Sequence, residues 1–206
     1  MIIGFVGFIN SGKNTAAGFL QKYDFIEDSF ANTLKDVLSI IFDWPRELLE
    51  GNTKESREWR NQTDMWWSEK LNIPNFTPRM AMQMIGTNVF RNHFNTNIWT
   101  LTLERRIQRY NCNVIIPDVR FQNEIDLIKR HNGKIIMIQK GSLPEWWEKA
   151  EKACHGDVNS IQYLDTIGIH PSEWSWIGHG PFDVITNNGT LDEFERKINE
   201  YIKPML

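Results

Sequence analysis

Residues 1–20 read Met1-Ile-Ile-Gly-Phe-Val-Gly7-Phe-Ile-Asn-Ser-Gly12-Lys13-Asn-Thr15-Ala-Ala-Gly-Phe-Leu20. An apolar, β-branched run breaks into a glycine-bearing loop, and from Thr15 onward Ala16, Leu20 and Tyr23 recur at helical spacing, so the order is strand, loop, helix. Gly7 to Lys13 matches G-x-x-x-x-G-K in the context that this motif requires. Backbone N–H groups of the loop and the helix N-terminus, from Asn10, Ser11, Gly12, Lys13, Asn14 and Thr15, can converge on a phosphate. Gly7 and Gly12 allow close backbone approach, and Lys13 adds a mobile cation. The usual motif follows its lysine with a Ser or Thr that reaches Mg²⁺. Here that place is Asn14, and the hydroxyl arrives one residue later as Thr15.

Outward from the loop, Leu34, Val37, Leu38, Ile41 and Phe42 predict an amphipathic helix over 32–43, ended near Trp44-Pro45. Residues 46–77 are polar and tryptophan-rich without a clean period, and are expected to be loop with some helix. Thr77-Pro78 is a cap followed by proline at the first helical position, with Gly86 expected to close that helix. A further helix is expected over 97–110, then an apolar strand Asn113 to Pro117, a helix through Phe121, Ile125 and Ile128, and a strand Lys134 to Gln139. A last strand, Phe182 to Thr186, leads through an Asn187-Asn188-Gly189 turn into a capping box at Thr190 and Glu193. Short apolar strands separated by helices predict an α/β fold, a central parallel sheet covered by helices on both faces. The irregular stretch 141–181, rich in Trp, Gly and His, lies where such a fold carries a lid.

Length and composition set the bounds. With 206 residues, 41% hydrophobic and 24% charged, the chain is globular and long enough for its own core, and it is read as a single domain over 1–206. Its apolar runs fall far short of the ~18 residues of a membrane span, which predicts a soluble, cytoplasmic protein without a membrane partner. Cys112 and Cys154 have no metal-ligand or disulfide spacing. The net charge of −3 argues against a nucleic-acid polymer as partner. Residues 79–140 nevertheless carry 10 basic and 4 acidic side chains between acidic flanks, which suits a small polyanion, although a solvated helix face around Arg105, Arg106 and Arg109 accounts for part of it.

A phosphate loop that handles Mg²⁺-nucleotide needs a second acidic element, and Val114-Ile-Ile-Pro-Asp118 supplies a carboxylate at a strand end. Arg120 follows in the same crevice, with the fork that binds phosphate through two bonds; a loop ion pair is the alternative for this couple. No second carboxylate adjoins Asp118.

The GK-x-T form of the loop resembles that of nucleoside monophosphate kinases such as adenylate kinase. Across nearly the whole chain the sequence resembles the deoxynucleoside monophosphate kinase family of T4-like bacteriophages. The matching stretches are GFINSGKNT at 7–15, SFANTLKD at 29–36, RMAMQMIGT at 79–87, PDVRFQNEID at 117–126 and VITNNGTLDEF at 184–194, with HPSE at 170–173 similar to a lid-side segment. The resemblance implies a P-loop kinase with an acceptor-binding insertion around 44–99 and a lid around 141–181. It implies transfer of the ATP γ-phosphate to the 5′-phosphate of a deoxynucleotide, with Mg²⁺ near Thr15 and Asp118, and the host cytoplasm as location if the chain is phage-encoded. By position, Arg79 and Gln83 would face the acceptor nucleotide, Asp118 and Arg120 the reacting phosphates, and Glu124 the rim of the crevice. Arg91 and Trp99 would line the base pocket, or Trp99 packs as core. Ser172 and Glu173 would meet adenine or close the lid, or Ser172 caps a helix.

Two departures bear on this. Where the family often writes Arg-Pro-Gly, this chain has Lys140-Gly141-Ser142, and a lysine lacks the guanidinium fork. The segment 141–181 contains no arginine, so Arg91, Arg105, Arg106 or Arg120 must supply the contact that lid arginines make in adenylate kinases. The expected activity is a dNMP kinase with small-molecule nucleotides as partners, as monomer or homodimer. The rivals are a P-loop kinase of dephospho-coenzyme A or phosphomevalonate type, and a non-catalytic protein that binds ATP to hold a partner.

Overall fold

The computed structural model describes Met1–Leu206. The elements in chain order are β1 (Ile2–Val6), α1 (Lys13–Leu20), β2 (Phe25–Glu27), α2 (Asn32–Phe42), α3 (Lys54–Trp59), α4 (Met65–Leu71), α5 (Pro78–Gln83), α6 (Ile98–Ile107), β3 (Asn113–Ile116), α7 (Gln122–Arg130), β4 (Lys134–Gln139), α8 (Trp147–Cys154), α9 (Val158–Thr166), α10 (Pro171–Trp174), β5 (Asp183–Thr186) and α11 (Leu191–Ile202). They form two compact units, Met1–Ser29 with Arg106–Leu206, and Phe30–Arg105. The insertion expected over 44–99 falls inside the second.

The first unit is built on a parallel sheet in the order β2-β3-β1-β4-β5. Ile3 pairs with Ile115 on one side of β1, and Gly4 with Ile135 on the other. Every residue of β1 is buried, as a central strand covered on both faces requires. Successive side chains point to opposite faces, and this divides the coverage. Ile3 and Phe5 join Ala16, Ala17, Leu20, Phe194 and Ile198 in a core beneath α1 and α11. Gly4 points the other way, toward α7, where a Cβ would fall 2.5 Å from Ile128 Cδ1. The expected α/β architecture is therefore the observed one, with one addition. That addition is β2, whose three residues are too few to show alternation and which is held by pairing Phe25 with Asn113.

The stretch 141–181 is not irregular. It forms α8, α9 and α10, with Ala150, Ala153 and Leu164 buried between the first two and Trp176 and Ile177 buried beyond them. Helices of four to nine residues carry too few repeats for a period to emerge, and such helices stand on packing rather than propensity. Phe8 of the loop after β1 anchors them, meeting the rings of Trp146 at 5.4 Å and Trp176 at 5.4 Å, both at steep angles.

In the second unit the segment expected as loop with some helix contains a 3-10 turn, Arg46–Leu49, followed by α3 and α4. Its tryptophans converge rather than forming a stripe. Phe42 stacks on Trp44 at 4.4 Å, Trp44 meets Trp59 edge-on at 6.0 Å, and Phe76 and Trp67 complete the group. Thr77 caps α5 as expected, its hydroxyl accepting from Met80 N at 3.1 Å.

Gly86, however, does not end that helix. The chain continues from α5 into a π-helix, Met84–Phe94, with Gly86 inside it. There a Cβ would lie 2.5 Å from Leu34 Cδ2, so the glycine serves close packing of this helix on α2 rather than a left-handed cap.

Candidate active site

In a parallel sheet all strands end on one side, and ligands bind outside those ends where neighbouring connections diverge. β1 lies between β3 and β4 at that point. The loop after β1 is shaped for a polyanion. Gly7, Asn10 and Gly12 have φ of 138°, 61° and 104°, and a Cβ on Gly7 would sit 2.4 Å from the Ile138 carbonyl oxygen. Ser11 Oγ is buried and has no hydrogen-bond partner within the protein. Asn187, in the turn after β5, donates from Nδ2 to the Ser11 carbonyl at 2.9 Å and steadies the loop from the neighbouring strand end. These features fit a phosphate chain: a backbone cradle that side chains would obstruct, a buried hydroxyl with bonding capacity to spare, and a cation.

That cation is Lys13, at the start of α1, whose Nζ donates to the carbonyls of Gly7 at 2.7 Å and Phe8 at 2.8 Å. Burial, reinforced by the Arg120 guanidinium and opposed by Glu173 and Asp118, pushes its ammonium down to about 7. Lys13, Asp118, Arg120 and Glu173 thus share one electrostatic environment. Arg120 donates from Nη1 to Glu173 Oε1 at 2.7 Å and to the Ser172 carbonyl at 3.1 Å, which ties the end of β3 to α10. Asp118 Oδ2 accepts from Ser29 Oγ at 2.6 Å. Asn14 and Thr15 are exposed on the first turn of α1, and Lys140 is exposed just past the end of β4.

Several expected site residues take specific places. Glu124 is buried, and its Oε2 accepts from the backbone of Arg120 at 2.7 Å and Phe121 at 3.2 Å, closing the first turn of α7. Ser172 does not cap α10; His170 does, its Nδ1 accepting from Ser172 N at 3.2 Å. In the second unit Trp99 is 4% exposed and donates from Nε1 to the Gly86 carbonyl at 2.9 Å. Arg91 is buried in the π-helix, while Arg79 and Gln83 are half-exposed on α5. Arg106 is engaged with Asp28 through Nε at 2.8 Å and Nη2 at 3.0 Å.

Three residues at the site, Asp28, Ser29 and Asn187, were not singled out by sequence reasoning. Ser29 and Asn187 lie inside stretches that matched the family, but a lone hydroxyl and a turn amide carry no spacing signal. Their roles come from strand ends far apart in sequence.

Comparison with known proteins agrees with this chemistry. A family model described as "Deoxynucleotide monophosphate kinase" matches residues 48–149. A protein of Acanthamoeba polyphaga mimivirus, named as a proposed deoxynucleotide monophosphate kinase, is 32% identical over 96% of this chain and 94% of its own length. A deoxynucleoside-5′-monophosphate kinase of Escherichia phage T5 is 26% identical over 64% of this chain and 73% of its own. Among solved structures, a dephospho-CoA kinase from Campylobacter jejuni aligns over 99% of this chain and 96% of its own, at 17% identity and a TM-score of 0.45.

Proposed function

The chain belongs to the deoxynucleotide monophosphate kinase family, and from that premise we propose that it transfers the γ-phosphate of ATP to the 5′-phosphate of a deoxynucleoside monophosphate, giving dNDP and ADP. The observation that carries this reading is the grouping of Lys13, Asp118, Arg120 and Glu173 beside the glycine cradle. A loop that only held a nucleotide would need no arginine and carboxylate beyond the phosphate chain.

Lys13 and the amides of Asn10 to Thr15 hold the β- and γ-phosphates, and Lys13 leaves the carbonyls of Gly7 and Phe8 for phosphate oxygens that offer a stronger charge-assisted bond. Arg120, aimed by Glu173, faces the transferred group and stabilises the charge that spreads over its oxygens. The acceptor phosphate is already an anion, so the protein needs no general base, and its contribution is positioning and electrostatics. Mg²⁺ bound with ATP supplies further neutralisation of that charge. Asp118 and Thr15 are the residues we assign to it, and an ion that keeps several of its waters is served by one or two such oxygens.

We assign acceptor recognition to Arg79, Gln83 and Arg91. Glu124 is a positioning residue that fixes the Arg120 backbone, and Trp99 holds the second unit together. Ser172 enters through its carbonyl on Arg120 rather than by touching adenine. The segment α8 to α10 acts as the lid that keeps water from the γ-phosphate. No helix is long and apolar enough to cross a membrane, and we place the protein in the cytoplasm.

A coupled ADP-release assay over the common dNMPs, NMPs and dephospho-coenzyme A tests the reading. ADP should form only when Mg²⁺ and a nucleoside monophosphate are both present. ADP formation independent of an added monophosphate, or faster with dephospho-coenzyme A, rejects it. Thr15→Val should then impair the Mg²⁺-dependent rate more than Asn14→Ala, and the reverse order would reject the assignment of the metal to Thr15.

A further inference from the structure

Next to Asp118 lies a chain of bonds that the transfer reaction as described above does not use. Asp28, at the end of β2, is 3% exposed, and its carboxylate is surrounded by donors. Arg106 reaches it with Nε at 2.8 Å and Nη2 at 3.0 Å, Tyr110 with its hydroxyl at 2.9 Å, and the Ser29 backbone N–H at 2.7 Å. Burial alone would raise this carboxyl; the bonds from Arg106, Ser29 and Tyr110 outweigh it and hold the group below the usual carboxylate range. Arg106 Nη2 also donates to the Ser29 carbonyl at 2.9 Å, so both backbone groups of Ser29 are pinned. The one part of Ser29 that points elsewhere is its hydroxyl, which donates to Asp118 Oδ2 at 2.6 Å.

We propose that Asp28 and Ser29 are positioning residues for Asp118, with Arg106 and Tyr110 clamping Asp28 so that the Ser29 hydroxyl holds the Asp118 carboxylate in one orientation. This rests on the reading of Asp118 as part of the transfer site. A carboxylate on a short connection after β3 has free χ rotation unless something fixes it, and a 1 Å misplacement of a group that meets the reacting phosphates is costly. A hydroxyl whose own backbone is bonded at both N–H and C=O supplies one such restraint. The clamp sits where the chain passes into the second unit after Ser29 and returns at Arg106, so the two crossing points of the backbone are tied to each other and, through Ser29, to Asp118.

The test uses the full-length enzyme with ATP and dNMP titrated separately. Ser29→Ala removes the restraint and adds no bulk. It is expected to lower kcat about 10-fold while the KM for each nucleotide stays within about 2-fold and the Tm is unchanged, and Ser29→Thr should restore most of the rate; loss of an outer partner of a ligating carboxylate typically costs about 10–100-fold. Tyr110→Phe, which leaves the Asp28–Arg106 pair in place, should produce a smaller loss of the same kind. Introduced into Asp118→Asn, Ser29→Ala should change the residual rate less than 2-fold, because the two act through one group.

Wild-type kcat in Ser29→Ala, or an equal 10-fold loss in the Asp118→Asn background, overturns the relay while leaving the kinase reading intact. Wild-type turnover in Asp118→Asn overturns both the relay and the assignment of Asp118 to the transfer site, and the two failures are thereby told apart.

Discussion

Lys13 is the residue on which the proposed chemistry turns. Its side chain is held by two loop carbonyls, and burial pushes its ammonium down to about 7. The sign of the consequence follows. Above that pH free Lys13 is largely neutral, whereas a bound polyphosphate favours the charged form and returns its titration toward the ordinary lysine range. ATP binding between pH 7 and 10 should therefore take up a proton, with uptake vanishing well below pH 7. Calorimetric titration of ATP in buffers of different ionisation enthalpy measures this; uptake independent of pH, or absent in the wild type, would contradict it. Lys13→Ala should fold normally and lose about 10²-fold or more in kcat, since a cation on the transferred group lowers the barrier by several kcal/mol. Retained turnover would rule out a catalytic Lys13.

Among the elements, the α5 to α6 stretch separates two roles for Trp99 that its sequence position leaves open. Its N–H ends on the carbonyl of Gly86, in the first turn of the π-helix, and its ring meets Phe90 at 5.2 Å. If the residue is core, Trp99→Phe leaves a buried carbonyl without a donor and should destabilise the protein by about 1–3 kcal/mol in urea titration, with nucleotide KM values unmoved. A rise in the KM for dNMP at unchanged stability would instead make it part of the base pocket. In the same stretch Gly86 resembles a helix end in sequence and is none in the structure. Glycine at a terminus and glycine at a close helix contact are the same letter, and only the Leu34 side chain packed against it distinguishes them. Thr77-Pro78, by contrast, needed no tertiary partner, because a cap is satisfied within its own turn.

Across the whole molecule, the glycine loop proposed to hold ATP lies in one unit, and the residues proposed for the acceptor, Arg79 and Gln83, lie in the other. Arg79→Lys keeps the charge and loses the fork, so the KM for dNMP should rise clearly while the stabilisation by ATP, about 2.7 kcal/mol at 100 times its Kd, is unchanged. Thermal unfolding with and without ATP, beside steady-state kinetics, reads both quantities. Equal weakening toward ATP and dNMP, or toward neither, would make Arg79 a structural residue.

What the sequence determined by itself is local. The strand, glycine loop and lysine of residues 2–13, the amphipathic α2, the apolar β3 and β4 and the capping box at Thr190 each carry their signal within a few neighbouring residues, through period, φ preference or a bond inside one turn. From those the parallel α/β fold followed, and with it the proposal of a phosphate site after β1. The tertiary structure alone decided which polar groups meet. Arg120 finds Glu173 across 53 residues, Ser29 finds Asp118 across 89 and Arg106 finds Asp28 across 78. The sheet order brings these strand ends together, and no spacing along the chain encodes that meeting. β2 and α8 to α10 were hidden for a related reason: they are too short to repeat a pattern, and they persist because neighbouring elements pair with them or bury them.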